Sequence, residues 1–199
     1  MPIFAHEYLH NVMSNIYIAE GASSHEAATV ATHQVGANLA GHDSHGVIQT
    51  IEYVQRIRKG HIVPGATPTI INESPTSARI DGHWGFGFVV TEMAMQMAIS
   101  KARKHNVSAV TVFRQSHIGR LADYPAMAIK EGMVAIITAD SGMGPKAVAP
   151  FGGRERRLGT NPICIGVPSN TEGPVILDMA TSAVAQGKIN LAKNRGESV

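Results

Sequence analysis

Hydrophobic positions recur at helical spacing in the first third of the chain and at strand spacing beyond it. Tyr8, Val12 and Ile16 fall on one face of a helix that should stop at Gly21. Ser23-Ser24-His25-Glu26 has capping-box spacing, in which Ser23 accepts from the backbone at Glu26 while the Glu26 side chain returns the bond. That opens a second helix over 27–40, ended by Gly41, and a third is expected over 47–59, closed by Gly60. Past His61-Ile62-Val63-Pro64-Gly65 the pattern alternates. Thr69-Ile70-Ile71 and Ala78-Arg79-Ile80 read as short strands around a Glu73-Ser74-Pro75 turn. A glycine-rich loop from Asp81 then leads into a helix over 89–104, a buried β-branched strand over 107–113 and a polar loop over 114–120. Helix over 121–131 and strands over 134–138, 163–167 and 174–177 complete the pattern. It predicts an N-terminal helical domain, residues 1–65, followed by an α/β domain, residues 66–199.

Composition narrows the function classes. With 44% hydrophobic and 16% charged residues among 199, the chain can bury a core and does not read as disordered. Seventeen basic against fifteen acidic side chains give a net charge of +2 without a Lys/Arg-rich tract, so neither nucleic acid nor a membrane surface is the expected partner. Cys164, the single cysteine, excludes an internal disulfide framework and sits in an apolar run as a core thiol. Phe4-Ala5-His6-Glu7 interrupts any signal-peptide pattern and no apolar run reaches membrane-spanning length, so the cytoplasm is the expected location.

The densest chemistry lies in Gly41-His42-Asp43-Ser44-His45-Gly46-Val47. His42 and His45 have the spacing of a metal-ligand pair, but no strong third ligand lies nearby in sequence. The histidines could equally satisfy helix-end carbonyls, or Ser44 and His45 could donate to a substrate carbonyl or carboxylate. A second cluster, Ser116-His117-Ile118-Gly119-Arg120, follows a predicted strand, and in open α/β sheets ligands gather beyond the carboxyl ends of strands. A histidine there suits proton exchange near neutral pH. The third is a pair, Leu158-Gly159-Thr160-Asn161-Pro162 and Leu177-Asp178-Met179-Ala180-Thr181-Ser182, with small polar residues at strand boundaries. Gly142-Met143-Gly144-Pro145-Lys146-Ala147 imitates a dinucleotide fingerprint, but Pro145 and Pro150 leave little room for the helix that fingerprint needs.

Gly41-His42-Asp43-Ser44-His45-Gly46, Asp81-Gly82 with Gly87, Ser116-His117-Ile118-Gly119, Ala149-Pro150-Phe151-Gly152, Gly159-Thr160-Asn161-Pro162 and Leu177 through Ser182 occur in one order. In that order they resemble the malate/L-lactate dehydrogenase family of the type-2, non-Rossmann kind, and within it the hydroxycarboxylate dehydrogenases. The resemblance implies an α/β fold with a helical N-terminal part and a non-Rossmann nicotinamide domain. It implies an oxidoreductase that uses NAD or NADP on small 2-hydroxy or 2-oxo acids, usually as a homodimer and with no metal. By motif match His117 would exchange a proton with the substrate oxygen, and His45 would face nicotinamide and substrate with Ser44 beside it. Gly119, Arg120 and Leu121 would approach the cofactor, as would Ile176, Leu177, Asp178, Met179 and Ala180, and Tyr53 would line the substrate pocket.

Two departures from the family pattern stand out. Gln49 occupies a position where many members carry an arginine, leaving Arg56 or Arg120, or a partner subunit, to meet the substrate carboxylate. Members of the family also continue past the point matched by Val199, so a C-terminally truncated member is expected. A remnant that binds nucleotide or dimerises without turnover, and a metal-dependent hydrolase or lyase built on His42, His45 and His117, are the alternative functions.

Overall fold

The capping box forms as its spacing dictates. In this computed structural model, which describes residues 3–140, 146–183, 192 and 196–198, Ser23 Oγ accepts from Glu26 N at 3.2 Å and the Glu26 carboxylate accepts from Ser23 N at 2.9 Å. The same buried carboxylate also accepts from Gly65 N at 2.9 Å, so it fixes the chain leaving the helical segment as well as the helix start. The helices are α1 (His6–Ala19), α2 (Ser24–Leu39) and α3 (Thr50–Arg58). Helix α1 buries Met13 and Tyr17, whereas Tyr8 is exposed and Val12 and Ile16 flank the seam, so its inner face is turned by one position from the expected one. Tyr17 explains the shift, since its hydroxyl donates to buried Gln34 at 2.8 Å and its ring meets Phe86 edge-on.

Two compact units divide the chain, Met1–Arg120 and Leu121–Val199. A boundary at residue 65 was expected from the pattern, but Ile62, Phe86 and Phe88 share one buried cluster with Met13, Tyr17, Val30 and Tyr53, which holds residues 66–120 to the helices. In this unit β1 (Thr69–Glu73) pairs antiparallel with β2 (Ser77–Asp81), and β2 pairs parallel with β3 (Ala109–Phe113) across the crossover helix α4 (Gly87–His105). The parallel pairing brings the carboxyl ends of β2 and β3 together, Asp81 opposite Phe113. Strand β3, expected to be buried, is instead an edge strand with Ala109 and Thr111 exposed.

The second unit is an antiparallel meander of β4 (Ala135–Thr138), β5 (Ile163–Val167) and β6 (Val175–Met179), with the short helix α5 (Asp123–Ile129) on one face. A Cβ at Gly166 would press on Pro125 and Ile129, so only glycine allows α5 this close. Cys164 is a buried thiol, in no disulfide, on the covered face, as expected. On the opposite face Ile136 and Leu177 are 64% and 47% exposed. Mixed helices and sheets with a helical N-terminal part are thus the observed class. Gly142 through Pro145 of the fingerprint-like stretch lie outside the described residues.

Candidate functional site

The histidine loop is carried on a helix end of defined geometry. Gly41, at φ +74°, lets His42 N bond Ala37 O at 2.8 Å and Gly41 N bond Asn38 O at 2.9 Å, so backbone amides, not imidazoles, satisfy the last carbonyls of α2. Two single turns follow, Asp43–His45 and Val47–Gln49. Asn38 braces both, donating to Asp43 Oδ1 at 2.6 Å and accepting from Val47 N at 2.8 Å. Its amide fills the space a Cβ at Gly46 would need, which accounts for that glycine. Gln49 donates to Ser44 O at 2.7 Å, so the residue in place of the family's arginine ties the loop together.

Beyond the carboxyl ends of β2 and β3, the two motif loops of the first unit interlock. Gly82 N bonds Phe113 O and Trp84 N bonds Arg114 O, while Gly87 N donates to Ser116 Oγ at 2.8 Å. A Cβ at Gly87 would collide with the carbonyls of Ser116 and His117, and one at Gly119 with the Phe88 ring. The Arg114 guanidinium clasps buried Asp81, with Nε 3.0 Å from Oδ1. Above all this bond lowers the Asp81 carboxyl to about 2.

These supports place His117 against His45 and Tyr53. The two imidazoles stack with centroids 5.6 Å apart and planes within 25°. His42 meets His45 edge-on at 5.8 Å, and Ser44 Oγ lies 3.0 Å from His45 Nδ1. Tyr53, on α3, reaches His117 Nδ1 at 2.5 Å. Desolvation, then the neighbouring His45 and Arg56, lower His117 to about 3. The ring is thereby kept neutral across the physiological range.

The first unit therefore brings together Ser44, His45, His117 and Tyr53, with Gly119 and half-buried Arg120 on the same loop as His117. Tyr53 is only 2% exposed, and its hydroxyl meets His117 Nδ1. Among the described residues no three metal-ligating side chains group as an ion requires. Asn38 escaped the sequence analysis, although an asparagine in the last turn of a helix before two glycines five residues apart was an available signal.

In the second unit, Leu121 is buried and the Asp178 carboxylate accepts from Ala122 N at 2.9 Å, capping α5. Met179 pairs with Ile163, and Thr181 Oγ1 donates to Asn161 O at 2.8 Å, so the third pair of motifs meets at one end of the sheet. Ile176 is half-buried and Leu177 and Met179 exposed along β6, with Ala180 just beyond it.

Comparison with known proteins agrees along the whole length. The chain is 37% identical over 196 residues to hydroxycarboxylate dehydrogenase B of Escherichia coli O157:H7, which covers 98% of this chain and 54% of that protein. It is 41% identical over 179 residues to a malate dehydrogenase of Pyrococcus abyssi, covering 90% and 48%. Malate dehydrogenase from Entamoeba histolytica superposes with a TM-score of 0.93 at 33% identity, covering 100% of this chain and 54% of that one. The chain thus spans about half the length of the relatives it matches. Since residues 4–199 also match the family described as malate/L-lactate dehydrogenase, the chain belongs to that family.

Proposed function

We propose that the chain carries part of a dehydrogenase that moves a hydride between NAD or NADP and a small 2-hydroxy or 2-oxo acid. The observation that supports it most is the stacked pair His45 and His117, with Ser44 on the first ring and Tyr53 on the second. This donor set, two imidazoles and a hydroxyl, fits the carbonyl of a 2-oxo acid and the carboxamide of a nicotinamide. When bound, the cofactor would supply or accept the hydride.

His117 would bond the substrate oxygen and, in the reducing direction, give its Nε2 proton to the oxygen left negative by hydride transfer, the ring regaining a proton from water once product has left. His45, with Ser44 on its Nδ1, would flank substrate and nicotinamide. Gly119 and Arg120 are proposed cofactor contacts of the first unit. In the second unit Leu121 and the run Ile176, Leu177, Asp178, Met179 and Ala180 are proposed to contact it mainly through backbone, since Asp178 is committed to capping α5. Arg56, whose charge acts on His117, is the proposed partner of the substrate carboxylate. A homodimer in the cytoplasm completes the proposal.

The test mixes the chain with NADH or NADPH and a panel of 2-oxo acids, following reduced-nicotinamide absorbance and fluorescence. Substrate-dependent oxidation supports the proposal and names the acid. Absence of both cofactor binding and oxidation overturns it for this chain.

A further inference from the structure

The Tyr53 hydroxyl lies in a dry place with one partner. Its residue is 2% exposed, its ring is packed beside Phe88, with centroids 6.0 Å apart, and edge-on to His117. Among the described residues the hydroxyl has a single hydrogen-bond neighbour, His117 Nδ1 at 2.5 Å. If Nδ1 carried a proton and donated it, the phenolic hydrogen would be left buried without an acceptor, which is costly. Burial also drives the Tyr53 hydroxyl far above its ordinary range, so it keeps its hydrogen. The low-cost arrangement is Tyr53 O–H donating to an unprotonated Nδ1, and a neutral imidazole must then carry its proton on Nε2.

We infer that Tyr53 is a positioning residue that locks His117 in its Nε2–H tautomer, so that the nitrogen away from α3 is a standing hydrogen-bond donor. A donor recognises an acceptor: this tautomer is matched to the carbonyl oxygen of a 2-oxo acid rather than to the hydroxyl hydrogen of a 2-hydroxy acid. The resting site is therefore built to receive the oxidised substrate. The inference rests on the assignment of His117 to the substrate oxygen only for this last, substrate-directed step.

The experiment is long-range ¹⁵N–¹H correlation of the histidine rings in the whole ¹⁵N-labelled chain, with the His117 signals assigned by their loss in His117→Gln. The expected spectrum has a protonated Nε2 and an unprotonated Nδ1 that stay unchanged from pH 8 to pH 5. In Tyr53→Phe, which removes only the oxygen, a second tautomer should appear and the ring should titrate closer to the ordinary histidine range, still under the influence of His45 and Arg56. A protonated Nδ1 in the parent overturns the inference, and so does a Tyr53→Phe spectrum identical to the parent's. The parent spectrum decides even where the variant folds poorly. None of these signals requires cofactor or turnover, so failure of the dehydrogenase assignment is read separately.

Discussion

His117 is gripped from one side by a buried phenol and from another by a stacked imidazole, and both neighbours disfavour its cationic form. The unfolded ring titrates near 6.5 and the folded one near 3, so between these values the unfolded chain binds more protons. The contribution of His117 to stability is accordingly present above about pH 6.5 and lost as the pH falls toward 3. Thermal unfolding followed from pH 8 to pH 4 should show a declining midpoint, and His117→Gln should flatten that decline; an unchanged slope would count against the burial-driven neutrality of the ring. The same substitution should lower turnover by about 10²–10⁴-fold, the usual worth of an acid–base group, while leaving nicotinamide fluorescence intact. A variant retaining more than about a tenth of the parent rate would remove His117 from the proton-exchange role.

At the level of elements, local signals were legible and the burial of whole strands was not. Ser23 and Glu26 announced the start of α2 because a capping box needs only four consecutive residues, and Gly21, Gly41 and Gly60 closed helices where left-handed backbone was required. The run 107–113 looked buried because its side chains are β-branched, yet the strand lies at a sheet edge, and strand order is a tertiary property that composition does not encode. The site shows the same division. His45 and His117 were visible as loop chemistry, whereas the role of Tyr53 behind His117 and of Asn38 beneath Gly46 depends on contacts that no spacing rule reports. Glu26 tests how far a local signal reaches. Its carboxylate serves the α2 start and the Gly65 amide together, so Glu26→Ala should cost about 1–3 kcal/mol in chemical denaturation, at the upper end of what a cap alone is worth. A loss below about 0.5 kcal/mol would mean that water replaces both bonds.

At the scale of the whole molecule, each compact unit is a mixture of local and distant pairings, with only a small net charge to influence either. Among the described residues no helix is long and apolar enough to cross a membrane. In the first unit, α1 and α2 are neighbours in sequence and pack directly, whereas Tyr53 and His117 are separated by 64 residues, with the parallel crossover of β2, α4 and β3 lying between them in the chain. Closing so long a loop delays the reward of the contact it makes. The tyrosine–histidine bond should therefore be absent from the rate-limiting step of folding: Tyr53→Phe is expected to steepen the loss of the native state by hastening unfolding while the refolding rate in stopped-flow stays near that of the parent. Equal slowing of refolding would show the bond already made at the barrier. If refolding keeps the parent rate, the geometry that fixes the proton on His117 is acquired only after the barrier, so a chain can be nearly native and still hold that proton on either nitrogen.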